Sequence, residues 1–159
     1  MIDESPLSQP VDFIPDAFFA AIGKVNVNWG MLEGAVDIAI GKLAALDIRD
    51  KRWAILTAHM TWPLKMDILG SLAAELRASH PPLRRFDQIK SMLDRAQRGR
   101  NRIVHGQWGE EKGTIYKLRM TARGKLKSNM DPITVADIEL ISTEIRAAGT
   151  ALLRLIVTK

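Results

Sequence analysis

Residues 16–46, DAFFAAIGKVNVNWGMLEGAVDIAIGKLAAL, place Phe18, Ile22, Val25, Trp29, Leu32, Val36, Ala39, Leu43 and Leu46 at alternating steps of four and three. That spacing lines one face of an α-helix. Pro15 followed by Asp16 suits its first turn, where the missing proline N–H costs nothing. At 1.5 Å per residue the seam from Phe18 to Leu46 spans about 42 Å, longer than most globular helices. A seam of that length and regularity calls for another helix, or another chain, laid along it.

Outward from this stretch, proline and glycine cut the chain into further helix-length pieces. A short helix is predicted from Asp50 to about His59. Another starts where Thr61 precedes Trp62-Pro63 and runs through Leu69, Leu72, Ala73 and Leu76 to about Ser79, before Pro81-Pro82 breaks the chain. Phe86, Ile89, Leu93, Ala96, Arg100 and Ile103 form the next seam, which stops at Gly106, a natural residue just past a helix end. Residues 113–127, GTIYKLRMTARGKLK, read as a β-hairpin turning at Arg123-Gly124. Thr134 with Asp137 makes a capping box with a shortened acid, opening a last helix through Ile138, Ile141, Ile145, Ala148, Leu152 and Ile156. The fold class is therefore mostly α: an up-and-down bundle of four to five helices with a small β-hairpin between the fourth helix and the last. Residues 1–14 are expected to be a flexible N-terminal segment and residues 15–159 a single domain, with 113–127 an embellishment on it.

Composition narrows the function classes. The 159 residues are 47% apolar and 26% charged, values of a packed globular protein. The absence of cysteine removes disulfides, thiolate zinc, iron–sulfur ligation and cysteine nucleophiles together. The opening MIDESPLSQP lacks the basic-then-apolar order of a secretory signal, and no apolar run approaches a membrane span, so a cytoplasmic protein without membrane partners is expected. His59, His80 and His105 are dispersed, and there is neither a His-Glu-x-x-His pair nor a glycine-rich phosphate loop nor a Gly-x-Ser-x-Gly elbow. No metal site and no cofactor are predicted. The net charge of +5 is concentrated: residues 84–127 carry 13 Lys and Arg against four Asp and Glu, while the flanks are slightly acidic. A positive field so localised attracts phosphate backbones or acidic partners, unless it is simply a solvated basic face.

Arg100 breaks the fourth seam, since a guanidinium at an apolar position is expensive to desolvate unless it is paired or binds something. Beside it Asp94, Arg98, Asn101 and His105 follow at steps of four, three and four, a polar stripe adjoining the apolar one. Asn101 and His105 stand one turn apart, and the long Arg100 side chain reaches toward the imidazole. One helix thus presents a permanent cation, an orienting amide and a titratable base.

Arg100-Asn101-Arg102-Ile103-Val104-His105 resembles the signature of the HEPN superfamily, an Arg, a polar residue favouring Asn, Asp or His, and a His four to six residues in from the Arg. With 13 arginines, three histidines and four asparagines in the chain, Arg-Asn with His at this spacing is expected by chance about 0.006 times. The resemblance covers the motif and the helical architecture. It implies a helical bundle of this size with the motif late in the bundle, a homodimer, and metal-independent endoribonuclease activity of the toxin type, with an antitoxin protein as a possible partner. Arg100, Asn101 and His105 then occupy the catalytic positions. Arg98 and Arg102 flank them as phosphate-attracting residues, and Trp108, three residues beyond the motif, is the best candidate among the tryptophans for stacking on a base. Trp29, Trp53 and Trp62 are expected in the core or an interface.

The residue types suit that chemistry on their own terms. Cutting RNA without a metal requires taking a proton from a 2′-hydroxyl, stabilising charge on the phosphorane and protonating the departing 5′-oxygen. An imidazole, ordinarily titrating near pH 6.5, serves in either proton transfer. Arginine offers a planar fork of donors to phosphate oxygens. One histidine cannot be acid and base in a single concerted step, which favours a two-fold site with two copies of each residue. Against this stand an ordinary helix end, for which a His before Gly is equally apt, and a non-catalytic HEPN-like nucleotide-binding or protein-interaction module. A helix-turn-helix reader would need a short second helix of exposed base-reading side chains, and none stands out.

Overall fold

The first helix, α1, runs from Asp16 to Leu43 in the computed structural model, which describes residues 13–47, 49–123 and 125–157, with backbone alone over 119–128. Its inner face, Phe18, Ala21, Val25, Trp29, Leu32, Val36 and Ala39, is buried. The cover comes from within the chain: α5, Val135–Val157, lies along it with Ile138, Ile145, Ala148 and Leu152, and α3, Trp62–Leu76, packs on its flank. The seam therefore needs no second chain to bury it.

The predicted seam overshoots at its end. Leu46 lies beyond the helix, because Ala45 takes a left-handed conformation (φ 54°) and the chain reverses. The amide of Leu46 donates to Gly41 O at 2.9 Å and that of Ala45 to Lys42 O at 3.1 Å. This pair of bonds is the Schellman stop, made here without glycine at the left-handed position. The following α2, Lys51–Ala58, is capped by the Asp50 carboxylate on the Arg52 amide at 2.8 Å.

Between α1 and α3 the buried Lys65 ammonium meets both carboxylate oxygens of Asp37, at 2.7 and 2.9 Å. Between α1 and α5, Asn28 Nδ2 donates to Ser142 Oγ at 2.7 Å. These partly buried polar links, with the exposed Lys24–Glu139 ion pair between α1 and α5 at 2.7 Å, fix the register of three helices packed through an apolar core. A 3-10 turn over Pro81–Arg85 buries Leu83 and leads into α4, Phe86–Val104, which seats Phe86, Ile89, Leu93, Ala96 and Ile103 against α5 and α1. The mostly α bundle is thus as the periodicities predict, and the expected box at the start of α5 is present: the Asp137 amide donates to Thr134 Oγ1 at 3.2 Å, and the Thr134 amide to Asp137 Oδ2 at 2.8 Å.

The β element lies before the last helix, as expected, and is larger than one hairpin. Strands β1, Gln107–Glu111, β2, Thr114–Arg123, and β3, Lys125–Pro132, form an antiparallel meander in that order. Its first turn, Lys112-Gly113, has positive φ at both residues (52° and 78°), the two-residue reversal whose twist matches the strands. The expected reversal at Arg123-Gly124 coincides with the β2–β3 junction, Gly124 lying outside the described residues. The flexible segment expected over residues 1–14 likewise lies, for 1–12, outside them. No described helix is long and apolar enough to cross a membrane.

Candidate active site

The C-terminal half of α4 carries the motif, and its apolar face sets where each member goes. With Ala96 and Ile103 buried, Arg100, at the intervening seam position, points at α1. There its guanidinium carbon stands 5.5 Å from the centroid of the Trp29 ring, and Trp29 in turn lies against Trp62, with ring centroids 4.4 Å apart. The aromatic face supplies an attraction that water would otherwise supply, so a half-buried cation is tolerated on an apolar seam. Arg100 Nε is buried without a hydrogen-bond partner, which leaves the terminal nitrogens as the working end of the side chain.

That end is engaged. Arg100 Nη1 donates to Asn101 Oδ1 at 3.1 Å and lies 3.1 Å from His105 Nε2. A guanidinium has no acceptor, so Nε2 receives this bond, and the neutral ring carries its proton on Nδ1. Asn101 and His105 are both solvent-exposed. The three residues singled out by sequence therefore form one hydrogen-bonded cluster, anchored on Trp29 and open to solvent at the end of α4.

His105 sits just past the helix, with extended backbone (φ −100°, ψ 150°) and its amide donating to Asn101 O at 3.1 Å. Gly106 follows at φ 97°, and a side chain there would come within 2.9 Å of the Leu118 carbonyl on β2. The sheet thus presses against the motif's end. Lys117, for which the sequence gives no signal, makes the closest link: 4% exposed, it donates from Nζ to Ile103 O at 3.1 Å and to Gly106 O at 3.4 Å. Burial pushes its ammonium pKa down.

The flanking residues are distributed differently. Arg98 and Arg102 are exposed on α4, and Arg102 adds to the field at Asp137, whose carboxyl is held below the usual range chiefly by the Thr134 hydroxyl and amide. Trp108 belongs to a separate cluster on β1, its ring edge-to-face with Phe18 at 6.3 Å and its face under the Lys117 ammonium at 4.2 Å. Among the described residues no group of three His, Cys, Asp or Glu side chains could hold a metal ion. No protein-family model, curated protein or solved structure matches this chain.

Proposed function

We propose that the protein is a HEPN-like, metal-independent endoribonuclease that cleaves single-stranded RNA by attack of the 2′-hydroxyl on the adjacent phosphate, at a site composed of two copies of the motif in a homodimer. The observation that supports this reading most strongly is the solvent-open cluster in which Arg100 joins Asn101 and His105 through contacts of 3.1 Å. In the reaction the Arg100 fork turns its donors to the phosphate oxygens, where they stabilise the developing charge. Nε2 of the neutral His105 is thereby released and takes the 2′-hydroxyl proton. The 2′-oxygen bonds to phosphorus as the 5′-oxygen leaves, receiving a proton from the imidazolium of the other copy, and the ends formed are a 2′,3′-cyclic phosphate and a 5′-hydroxyl. Asn101 orients Arg100, while Arg98 and Arg102 draw the backbone in.

Purified protein incubated with single-stranded RNA in EDTA tests this reading directly. Wild type should produce cyclic-phosphate and 5′-hydroxyl ends, His105→Ala should abolish cleavage with little loss of stability, and Arg100→Lys should lose most of it, since an ammonium lacks the planar fork. Cleavage that persists in His105→Ala removes the assignment. Light scattering at micromolar concentration should give twice the chain mass, and a strict monomer would remove the composite mechanism.

The second reading, a non-catalytic nucleotide-binding or protein-interaction module, has an observation of its own: the lone pair of His105 Nε2 is already occupied by Arg100. It predicts RNA or nucleotide binding without strand scission by wild type.

A further inference from the structure

Lys117 occupies a core position on β2, and it donates to one carbonyl of the motif, Ile103 O, and to that of Gly106, the residue just past it. The last four carbonyls of an α-helix lack partners within it, and Ile103 O is one of these at the end of α4. The ammonium satisfies it from across the sheet at 3.1 Å, meets the negative pole of the helix, and also donates to Gly106 O at 3.4 Å. Trp108, its register partner on β1, lies beneath it at 4.2 Å. Between the two carbonyls stand only Val104 and His105. The backbone that carries the imidazole is thus gripped on both sides, at the point where it leaves the helix and where the bond from the His105 amide to Asn101 O is the last helical hydrogen bond.

We propose that Lys117 is the positioning residue of the site: by holding the carbonyls that flank His105 it keeps the imidazole in hydrogen-bonding reach of Arg100. The three-stranded sheet then acts as the support of the motif, with the grip made through the Trp108–Lys117 pair. This inference rests on the reading of His105 as the proton-transfer group. A lysine that only fills the core would change stability and leave the ring's tautomer alone.

Nitrogen-15 NMR of the histidine rings in the full chain separates the two, with the His105 signals identified by their disappearance in His105→Ala. In wild type His105 should hold its proton on Nδ1. In folded Lys117→Met the two tautomers should approach the mixture of a free, solvated ring, and kcat for RNA cleavage should fall about 10- to 100-fold with KM within about twofold, the cost of a displacement near 1 Å. An unchanged His105 tautomer in folded Lys117→Met overturns the proposal, as does a wild-type ring that already shows the solvated mixture. If Lys117→Met does not fold, Trp108→Leu, which removes the ring beneath the ammonium and keeps the lysine, should give a smaller shift of the same sign; no shift overturns the proposal. A wild type that never cuts RNA, yet holds His105 in a Lys117-dependent tautomer, removes the nuclease reading and leaves the positioning role. Equal cleavage by wild type and Lys117→Met does the reverse.

Discussion

The guanidinium of Arg100 rests on the indole of Trp29, its central carbon 5.5 Å from the ring centroid. This contact explains how a permanent charge occupies a seam position otherwise filled by Phe86, Ile89, Leu93, Ala96 and Ile103. The ring face offers partial negative charge while the aliphatic stem packs as any apolar side chain does. A double-mutant cycle on urea unfolding should therefore return a coupling of about 1–2 kcal/mol between Arg100→Met and Trp29→Leu. Trp29→Leu alone should cost about 2–4 kcal/mol, since it also removes the packing on Trp62. Additivity to within about 0.3 kcal/mol would mean that the two side chains are neighbours without attraction.

Ala45 makes a sharper stability prediction. It holds φ 54° in the turn that ends α1, a conformation in which an alanine Cβ crowds the following carbonyl at a cost of about 1–2 kcal/mol. Glycine avoids that cost and returns part of it as unfolded-state entropy. Ala45→Gly should stabilise the protein by about 0.5–1 kcal/mol, raising the thermal midpoint by about 1–4 °C. An equal or lower midpoint would place the helix stop elsewhere.

The same turn shows where sequence reading ends. The four-and-three spacing from Phe18 onward predicts α1 well, because burial follows periodicity, but it carries no mark of the reversal, since the left-handed position is filled by alanine in place of the usual glycine. Arg100, Asn101 and His105 are legible as a cluster because their spacing at one helix end, where the His105 amide still bonds to Asn101 O, puts them near one another. Lys117 is not. In the string Ile115-Tyr116-Lys117-Leu118 the more apolar alternate pair is Tyr116 and Leu118, which suggests that those two face the core, whereas Ile115 and Lys117 are the buried pair. What reverses the expected face is the array of helix-end carbonyls, which only tertiary structure brings to the strand. β1 escapes notice for a related reason: Gln107–Glu111 is polar and exposed along much of its length, and the signal for it lies in the Lys112-Gly113 turn.

The capping box at the start of α5 sets a pH dependence. Asp137 is held below the usual carboxylate range, first by the Thr134 hydroxyl, then by the Thr134 amide, with a smaller contribution from the Arg102 charge. A carboxyl with a lower pKa folded than unfolded gives stability that is complete above the unfolded value, about 3.9, and is lost as pH falls through the folded one. At pH 7 Thr134→Ala should cost about 1 kcal/mol, or about 2–4 °C. Asp137→Asn should lie below wild type at neutral pH, and the gap should close below about pH 4. A gap that stays constant from pH 7 to about pH 3 would show that the carboxylate charge contributes nothing to the cap.

The distribution of charge makes the last prediction. Residues 84–127 hold 13 basic side chains against four acidic ones, and two of the acids are balanced in part at the surface, Asp94 by Lys90 at 2.9 Å and Asp87 by Arg77 at 3.0 Å. Arg84, Arg85, Arg98 and Arg102 are exposed along the same stretch of chain. If this stretch meets RNA, each phosphate it neutralises releases counterions, and affinity falls as a power of the salt concentration. Binding of single-stranded RNA by His105→Ala, measured by fluorescence anisotropy in EDTA so that the RNA stays intact, should weaken about 10²- to 10⁴-fold between 50 and 200 mM salt. Replacing Arg98 or Arg102 by serine in that background should lower the slope of log K against log salt by about one for each phosphate that is no longer neutralised. Arg52→Ser removes a charge of the same sign on α2, where Asp50 already pairs with it, and should leave the slope unchanged. Equal effects from all three substitutions would mean that the RNA responds to net charge alone, and a flat salt profile would remove α4 as an RNA-binding face.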